Sequence, residues 1–220
     1  MTPATKETTL CADCPFDGDG ITQLISSSRT AAGGLYDVIN SRRYPVFGGQ
    51  AFKNPSQANL EHVLHDPSVV ILTASGHGTP GTFARSKSED LLQVGNYDTT
   101  AVKDKIIHLF ACSTAQSLGR DLVGNGCLAF FGYNAEFNFD RYEQDPYAAG
   151  IFIDCDSAID IALASGATPQ DAYHQASIAF TQGFSRLKND PDPERARLAK
   201  ILSEDFAALQ MILRPPPFVT

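Results

Sequence analysis

Residues 106–114 read IIHLFACST, and the fold turns on how this stretch is interpreted. Ile106 to Phe110 form an unbroken apolar, β-forming run, as expected of a strand covered on both faces of a sheet. Ala111, Cys112 and two hydroxyl residues follow. Residues 115–123 then show helical spacing at Leu118 and Leu122 and stop at Gly124-Asn125-Gly126. Cys112 is therefore expected where a buried strand ends and a helix begins. In an open parallel α/β sheet that carboxyl edge is where ligands and chemistry gather. A thiol at a helix N-terminus also feels the positive end of the macrodipole, which favours thiolate.

A second apolar run lies upstream. Residues 69–74, VVILTA, lead into Ser75-Gly76-His77-Gly78. Parallel neighbours joined by a crossover share one edge, so His77 and Cys112 are expected to face each other there. A thiol beside an imidazole suits nucleophilic acyl chemistry: the base takes the thiol proton and returns it to a leaving amine. Gly76 and Gly78 carry no side chains, which lets a peptide approach and leaves the Gly78 N–H as an oxyanion donor. The Cys112 N–H is the second candidate donor.

Outward from these strands, Asn54-Pro55-Ser56 predicts a helix start, with Ala58, Leu60, Val63 and Leu64 on the apolar face and Asp66-Pro67 at its end. Residues 79–105 read as a long polar loop with a small hairpin near 91–96. A strand is expected at 128–133, then a polar segment with aromatics at 134–144. Asp145-Pro146 opens a helix to Leu163 that is apolar nearly all round and so buried. Thr168-Pro169 opens another, to about Leu187, and residues 194–213 read as a last helix. Upstream, residues 1–20 read as irregular, 21–28 and 35–40 as short elements, and 43–47 as a strand weakened by Pro45. The order predicts a single α/β domain over 1–220 with a mostly parallel central sheet flanked by helices.

Composition narrows the class. The chain has 220 residues and a net charge of −8, which argues against nucleic acid or an anionic membrane surface as partner. No apolar stretch reaches membrane-span length, and the first residues lack a secretory hydrophobic block, so a cytoplasmic protein is expected. The five cysteines, Cys11, Cys14, Cys112, Cys127 and Cys155, do not suggest a disulfide framework. Cys127 and Cys155 read as buried thiols. His108, inside the strand, reads as a satisfied core or surface histidine. Cys11-x-x-Cys14 with His62-x-x-His65 has zinc-type ligands at unusual spacing, and no metal or other cofactor is expected. No GxGxxG or GxxxxGK[ST] loop points to a nucleotide.

A hydrophobic strand ending in Ser-Gly-His-Gly, followed by one ending in Ala-Cys-Ser, resembles the caspase-like cysteine peptidases. The run SLGRDLVGNGCLAFFGYNAEF is most similar to the prokaryotic CHAT-type members, and the likeness covers about residues 55–135. The resemblance implies a caspase-like sandwich, His77 as base, Cys112 as nucleophile, and N–H groups of Gly78 and Cys112 as the oxyanion hole. It implies a protein substrate and, for prokaryotic peptidases of this type, a setting in bacterial defence or regulated cell death. An activating protein or a pore-forming gasdermin would then be a partner. Some Arg-specific relatives carry an acid two places before the cysteine, where this chain has Phe110. Glu136, Asp140 and Asp98 are the acidic candidates for selecting a basic side chain. Arg85, Arg120 and Arg141 are the only nearby arginines for an acidic one. Activating cleavage is expected in 79–105, near Arg85 and Lys87, or in 134–144. The competing classes are a non-catalytic binding module on the same fold and a small-molecule acyl-transfer thiol enzyme.

Overall fold

A computed structural model describes residues 8–13, 52–53, 56–67, 69–86, 89–138 and 145–216. The elements expected at 21–28, 35–40 and 43–47 lie outside them, as do Cys14, Lys87, Phe139, Asp140 and Arg141. In chain order the elements begin with β1 (Thr8–Asp13), β2 (Phe52–Lys53), α1 (Gln57–Leu64), β3 (Val69–Ser75) and β4 (His77–Gly78). Next come β5 (Thr82–Ser86), β6 (Glu89–Gln93), α2 (Thr99–Val102), β7 (Ile106–Phe110), α3 (Leu118–Gly124) and β8 (Ala129–Tyr133). The chain closes with α4 (Pro146–Ala164), α5 (Pro169–Lys188), α6 (Pro193–Ala208) and β9 (Leu209–Leu213).

The central sheet has the order β2-β1-β3-β7-β8-β9. Its strands run parallel except β9, which lies antiparallel on β8. The protein is thus α/β with a mixed, mostly parallel sheet. Alternation along β7 divides the core. Ile107 and Leu109 pack with Leu60, Leu64 and Leu122 on the face covered by α1, α2 and α3. Phe110, with Phe131 and Tyr133 of β8, packs on the other face with Phe152, Phe180 and Leu202 of α4, α5 and α6.

The helix starts follow from local chemistry. Ser56 accepts the Asn59 N–H at α1, Asp145 accepts Tyr147 and Ala148 N–H groups at α4, and Thr168 accepts the Asp171 N–H at α5. Each satisfies an orphan donor of the first turn.

Four expectations are corrected. Thr8–Asp13, expected irregular, is β1, paired along β3 from Thr8↔Val69 to Asp13↔Ser75. The loop expected at 79–105 instead holds β5, β6 and α2, and β4-β5-β6 form a second, antiparallel sheet. The helix after β7 starts at Leu118, because residues 111–117 are turns. The last helix stops at Ala208. Leu209 leaves helical geometry at φ −64°, ψ 129°, and residues 209–213 pair with β8. Pairing at the bare edge of β8 outweighs the helical spacing of Leu209 and Ile212.

One polar cluster ties the sheet to α4. His108 is fully buried; its Nδ1 lies 2.7 Å from Asp160 and its Nε2 3.2 Å from Asp156. Tyr133 donates its O–H to the same Asp156 oxygen at 2.8 Å. His108, Asp156 and Asp160 are the one metal-type cluster among the described residues. Both ring nitrogens, on opposite sides of the imidazole, already face carboxylates, so the geometry is that of an imidazolium clamped by two acids. Burial alone would lower the His108 pKa, but Asp160 and Asp156 outweigh it and hold it at about 9.

His108 is therefore charged when folded. Its contribution is complete below its ordinary value near 6.5 and is lost as pH rises through about 9. Urea unfolding between pH 6.5 and 9.5 should show stability falling by about 3 kcal/mol. Asp160→Asn should cost about 3–5 kcal/mol at pH 6.5 by breaking a buried pair. A stability curve flat over this range would contradict the charged state.

Candidate active site

The two reactive residues follow adjacent strands. β3 and β7 pair in register from Ile71↔Ile106 to Ser75↔Phe110. The pairing runs one step further, with the Gly76 N–H donating to the Phe110 carbonyl at 3.3 Å. His77 and Cys112 thus come next on the same carboxyl edge. His108 and Phe110 face α4, and continuing that alternation brings Cys112 to the same side, where it packs against the α4–α6 core.

Gly78 fixes how closely the two strand ends approach. A Cβ on Gly78 would lie 2.1 Å from the Cys112 carbonyl oxygen, so only glycine fits there. Gly78 opens a tight turn: the Thr79 N–H donates to Thr82 O at 3.0 Å, and the Thr79 and Thr82 hydroxyls meet at 2.6 Å. In an antiparallel ladder, hydrogen-bonded and non-bonded pairs alternate. With Thr79/Thr82 bonded, Gly78/Phe83 is the non-bonded pair, which leaves the Gly78 N–H outside the ladder. The Pro80 carbonyl at the tip of that turn accepts the Ser117 and Leu118 N–H groups at 3.1 and 2.8 Å. The hairpin carrying His77 is thereby bolted to the turns that follow Cys112.

Those turns alter the electrostatics expected of the thiol. Cys112 is not at a helix N-terminus. The chain turns sharply at Ser113, which has φ +59°, and α3 begins further on with its first amides taken by Pro80. Segment 133–138 folds over these turns. Ser113 N–H donates to Ala135 O and Ala115 N–H to Tyr133 O, each at 2.9 Å, and the Phe137 N–H donates to Cys112 Sγ at 3.3 Å. The Phe137 ring is buried edge-on against Phe110 and Tyr133, at 4.6 and 4.8 Å between centroids. The thiol is left half-buried beneath this cover. Burial pushes its pKa above the ordinary value of 9.0; the Phe137 N–H pulls it down, and the Glu136 and Asp205 carboxylates push it further up. The expected low-pKa thiol is corrected accordingly.

The other sequence candidates separate cleanly. Glu136 is exposed on the cover beside the thiol. Phe110 is buried in the aromatic layer beneath it. Asp98 is elsewhere: it caps α2, accepts from Thr100, and meets His65 Nε2 at 2.9 Å. His65 precedes β3 and Asp98 precedes β7, so both belong to the amino edge, opposite Cys112. His65 is thus engaged by a carboxylate, while the proposed zinc partner Cys14 lies outside the described residues. Arg85 sits in β5, ion-paired with Glu89. Cys127 and Cys155 are buried thiols pushed up to about 12 by burial.

One acid was missed. Asp205 of α6 is 1% exposed, and its Oδ1 accepts the Asn138 N–H at 2.9 Å. Its signal was legible, because Leu198, Leu202, Asp205 and Leu209 share one helical stripe, and an acid on an apolar stripe needs a reason. Burial pushes its carboxyl up to about 7, partly offset by the Asn138 N–H.

Comparison of the chain with family models and with curated proteins finds no match.

Two measurements test this geometry. Iodoacetamide should modify Cys112 ahead of Cys127 and Cys155, with a rate still rising at pH 9 because the thiol titrates above its ordinary value. A rate that plateaus below pH 8 would contradict the buried thiol. Gly78→Ala should lower stability by about 1–3 kcal/mol through the forced shift of the Cys112 backbone. Gly124→Ala, where an added Cβ meets nothing within 4 Å, should be neutral or stabilising in the same thermal unfolding experiment.

Proposed function

We propose that the protein is a caspase-like cysteine endopeptidase with Cys112 as nucleophile and His77 as general base. The observation that supports this is the β3–β7 register, with the Gly76 N–H bond and the close Gly78–Cys112 backbone approach just beyond it, so that both strands lead into these two residues at one edge. The sequence resemblance supports the same pair.

The chemistry runs as an acyl transfer. His77 takes the Cys112 proton as the sulfur attacks the scissile carbonyl, forming the C–S bond. The N–H groups of Gly78 and Cys112 receive the oxyanion. The C–N bond breaks as the imidazolium protonates the leaving amine, which departs with its peptide. Water, deprotonated by His77, then displaces the sulfur as a carboxylic acid forms. Because the thiol sits high, its proton leaves during attack rather than beforehand. Segment 133–138 must lift to admit a substrate, which suits a peptidase held latent until a partner or a cleavage in 134–144 releases it. The resemblance implies a protein substrate, a gasdermin among the candidates, in a bacterial defence or cell-death system within the cytoplasm.

The second interpretation is a binding module on the same fold. The covered thiol, bonded by the Phe137 N–H, favours it. Cleavage of a proteome-derived peptide library separates the two. Wild type should cut, Cys112→Ala should not, and His77→Ala should lose about 10²–10⁴-fold in kcat/KM. Absence of Cys112-dependent cleavage, with segment 134–144 nicked as well as intact, would leave the binding module standing.

A further inference from the structure

Consecutive amides of the cover hold two different groups. The Phe137 N–H donates to Cys112 Sγ, and the Asn138 N–H donates to Asp205 Oδ1. The two amides are adjacent in the chain, so Asp205 and the thiol are held by neighbouring residues of one segment, and the Asp205 carboxylate pushes the thiol pKa up. The other Asp205 oxygen, Oδ2, is buried and has no hydrogen-bond partner among the described residues. A carboxylate oxygen left without a hydrogen bond in the interior is costly, and its presence calls for an explanation.

Among the described residues no cation fills that place. The basic residues of α6 are engaged elsewhere: Arg195 with Asp145, Arg197 with Glu194, and Lys200 with Glu204. No ion pair among the described residues includes Asp205. Ser75, beside Phe110 in the register, adds a second buried atom, a hydroxyl without a partner among the described residues. Phe137 of the cover packs on Phe110 and Tyr133, so lifting the cover would bare those rings as an apolar wall for the stem of a long basic side chain.

We infer that Asp205 is the acceptor of a cation subsite beside Cys112, which takes the arginine or lysine side chain preceding the scissile bond. The inference rests on the peptidase interpretation for its reaction, but not for its binding chemistry. Asp205 Oδ2 receives N–H donors of the guanidinium or ammonium group. The Phe137 and Asn138 amides, which occupy the thiol and the carboxylate in the free protein, are released when the cover lifts. Glu136, on the cover, adds negative charge at the mouth.

The test pairs turnover with binding. Fluorogenic peptides differing only in the residue before the scissile bond (Arg, Lys, Leu or Asp) are compared with wild type, Asp205→Asn and Cys112→Ala. Wild type should prefer Arg or Lys over Leu by at least about 10-fold in kcat/KM, and in the isosteric Asp205→Asn that ratio should fall to about one. Agmatine, an arginine side-chain mimic, should slow iodoacetamide labelling of Cys112 in wild type, a readout needing neither a variant nor turnover. Cys112-dependent cleavage with the same preference in Asp205→Asn, or a wild-type preference for Leu or Asp, overturns the subsite and leaves the peptidase standing. Agmatine protection lost in Asp205→Asn, with no cleavage of any peptide, supports the subsite and overturns the peptidase. Neither cleavage nor protection overturns both.

Discussion

The pairing of β3 with β7 is the constraint on which the rest of the molecule depends. Parallel strands cannot be joined by a short turn, so the chain between them must cross over the sheet. Here that crossover is the small antiparallel sheet β4-β5-β6 followed by α2. It starts at His77 itself. The same segment that returns the chain to β7 therefore begins with the candidate base, and its turn at Pro80 docks on the residues after Cys112. A slip of one residue in this register would turn His108 and Phe110 away from α4 and the candidate thiol away from the α4–α6 side. Register, core and site are thus one specification.

The thiol illustrates the tension between stability and reactivity at such an edge. Segment 133–138 hydrogen-bonds Cys112, Ser113 and Ala115 of the turns after β7 and buries Phe137 in the aromatic layer. Those contacts stabilise the free protein and raise the thiol pKa by desolvation. A standing thiolate would feel two carboxylates, Glu136 and Asp205, with no helix dipole to offset them. The arrangement favours a neutral thiol at rest and a proton transfer coupled to attack, in which an incoming cation relieves the negative field.

What the sequence revealed was what local chemistry controls. The apolar runs of β3, β7 and β8 and the caps at Ser56, Asp145 and Thr168 needed no tertiary information, and the structure has each within a residue or two. The edge position of His77 and Cys112 followed from those strands alone. Illegible were the elements whose identity comes from a distant partner. β1, with its Thr-Thr start and Asp end, lacks an apolar pattern and becomes a strand by pairing with β3. β9 carries helical spacing and is drawn into extended form by the open edge of β8. Residues 115–117 carry the helical spacing of Leu118 and Leu122 but are turns, because Pro80, far away in sequence, takes the Ser117 and Leu118 amides. Asp205 was passed over because an acid inside an otherwise regular stripe was read with its neighbours.

Two polar groups on the α4–α6 side of the sheet show how structure and function divide such residues. At His108 the carboxylates of Asp156 and Asp160 meet both ring nitrogens and Tyr133 completes one of them, so the charge is compensated inside the fold. Buried ionic groups paired in this way tie α4 to β7 and β8. At Asp205 one oxygen is bonded by a main-chain amide of a segment that must move, and among the described residues the other has no partner and no cation answers it. The same face of the same sheet thus holds two acids answered by an imidazolium and, near the thiol, one acid that no described cation answers. An open acid within reach of a candidate nucleophile is a recognition element, and its natural complement is positive charge.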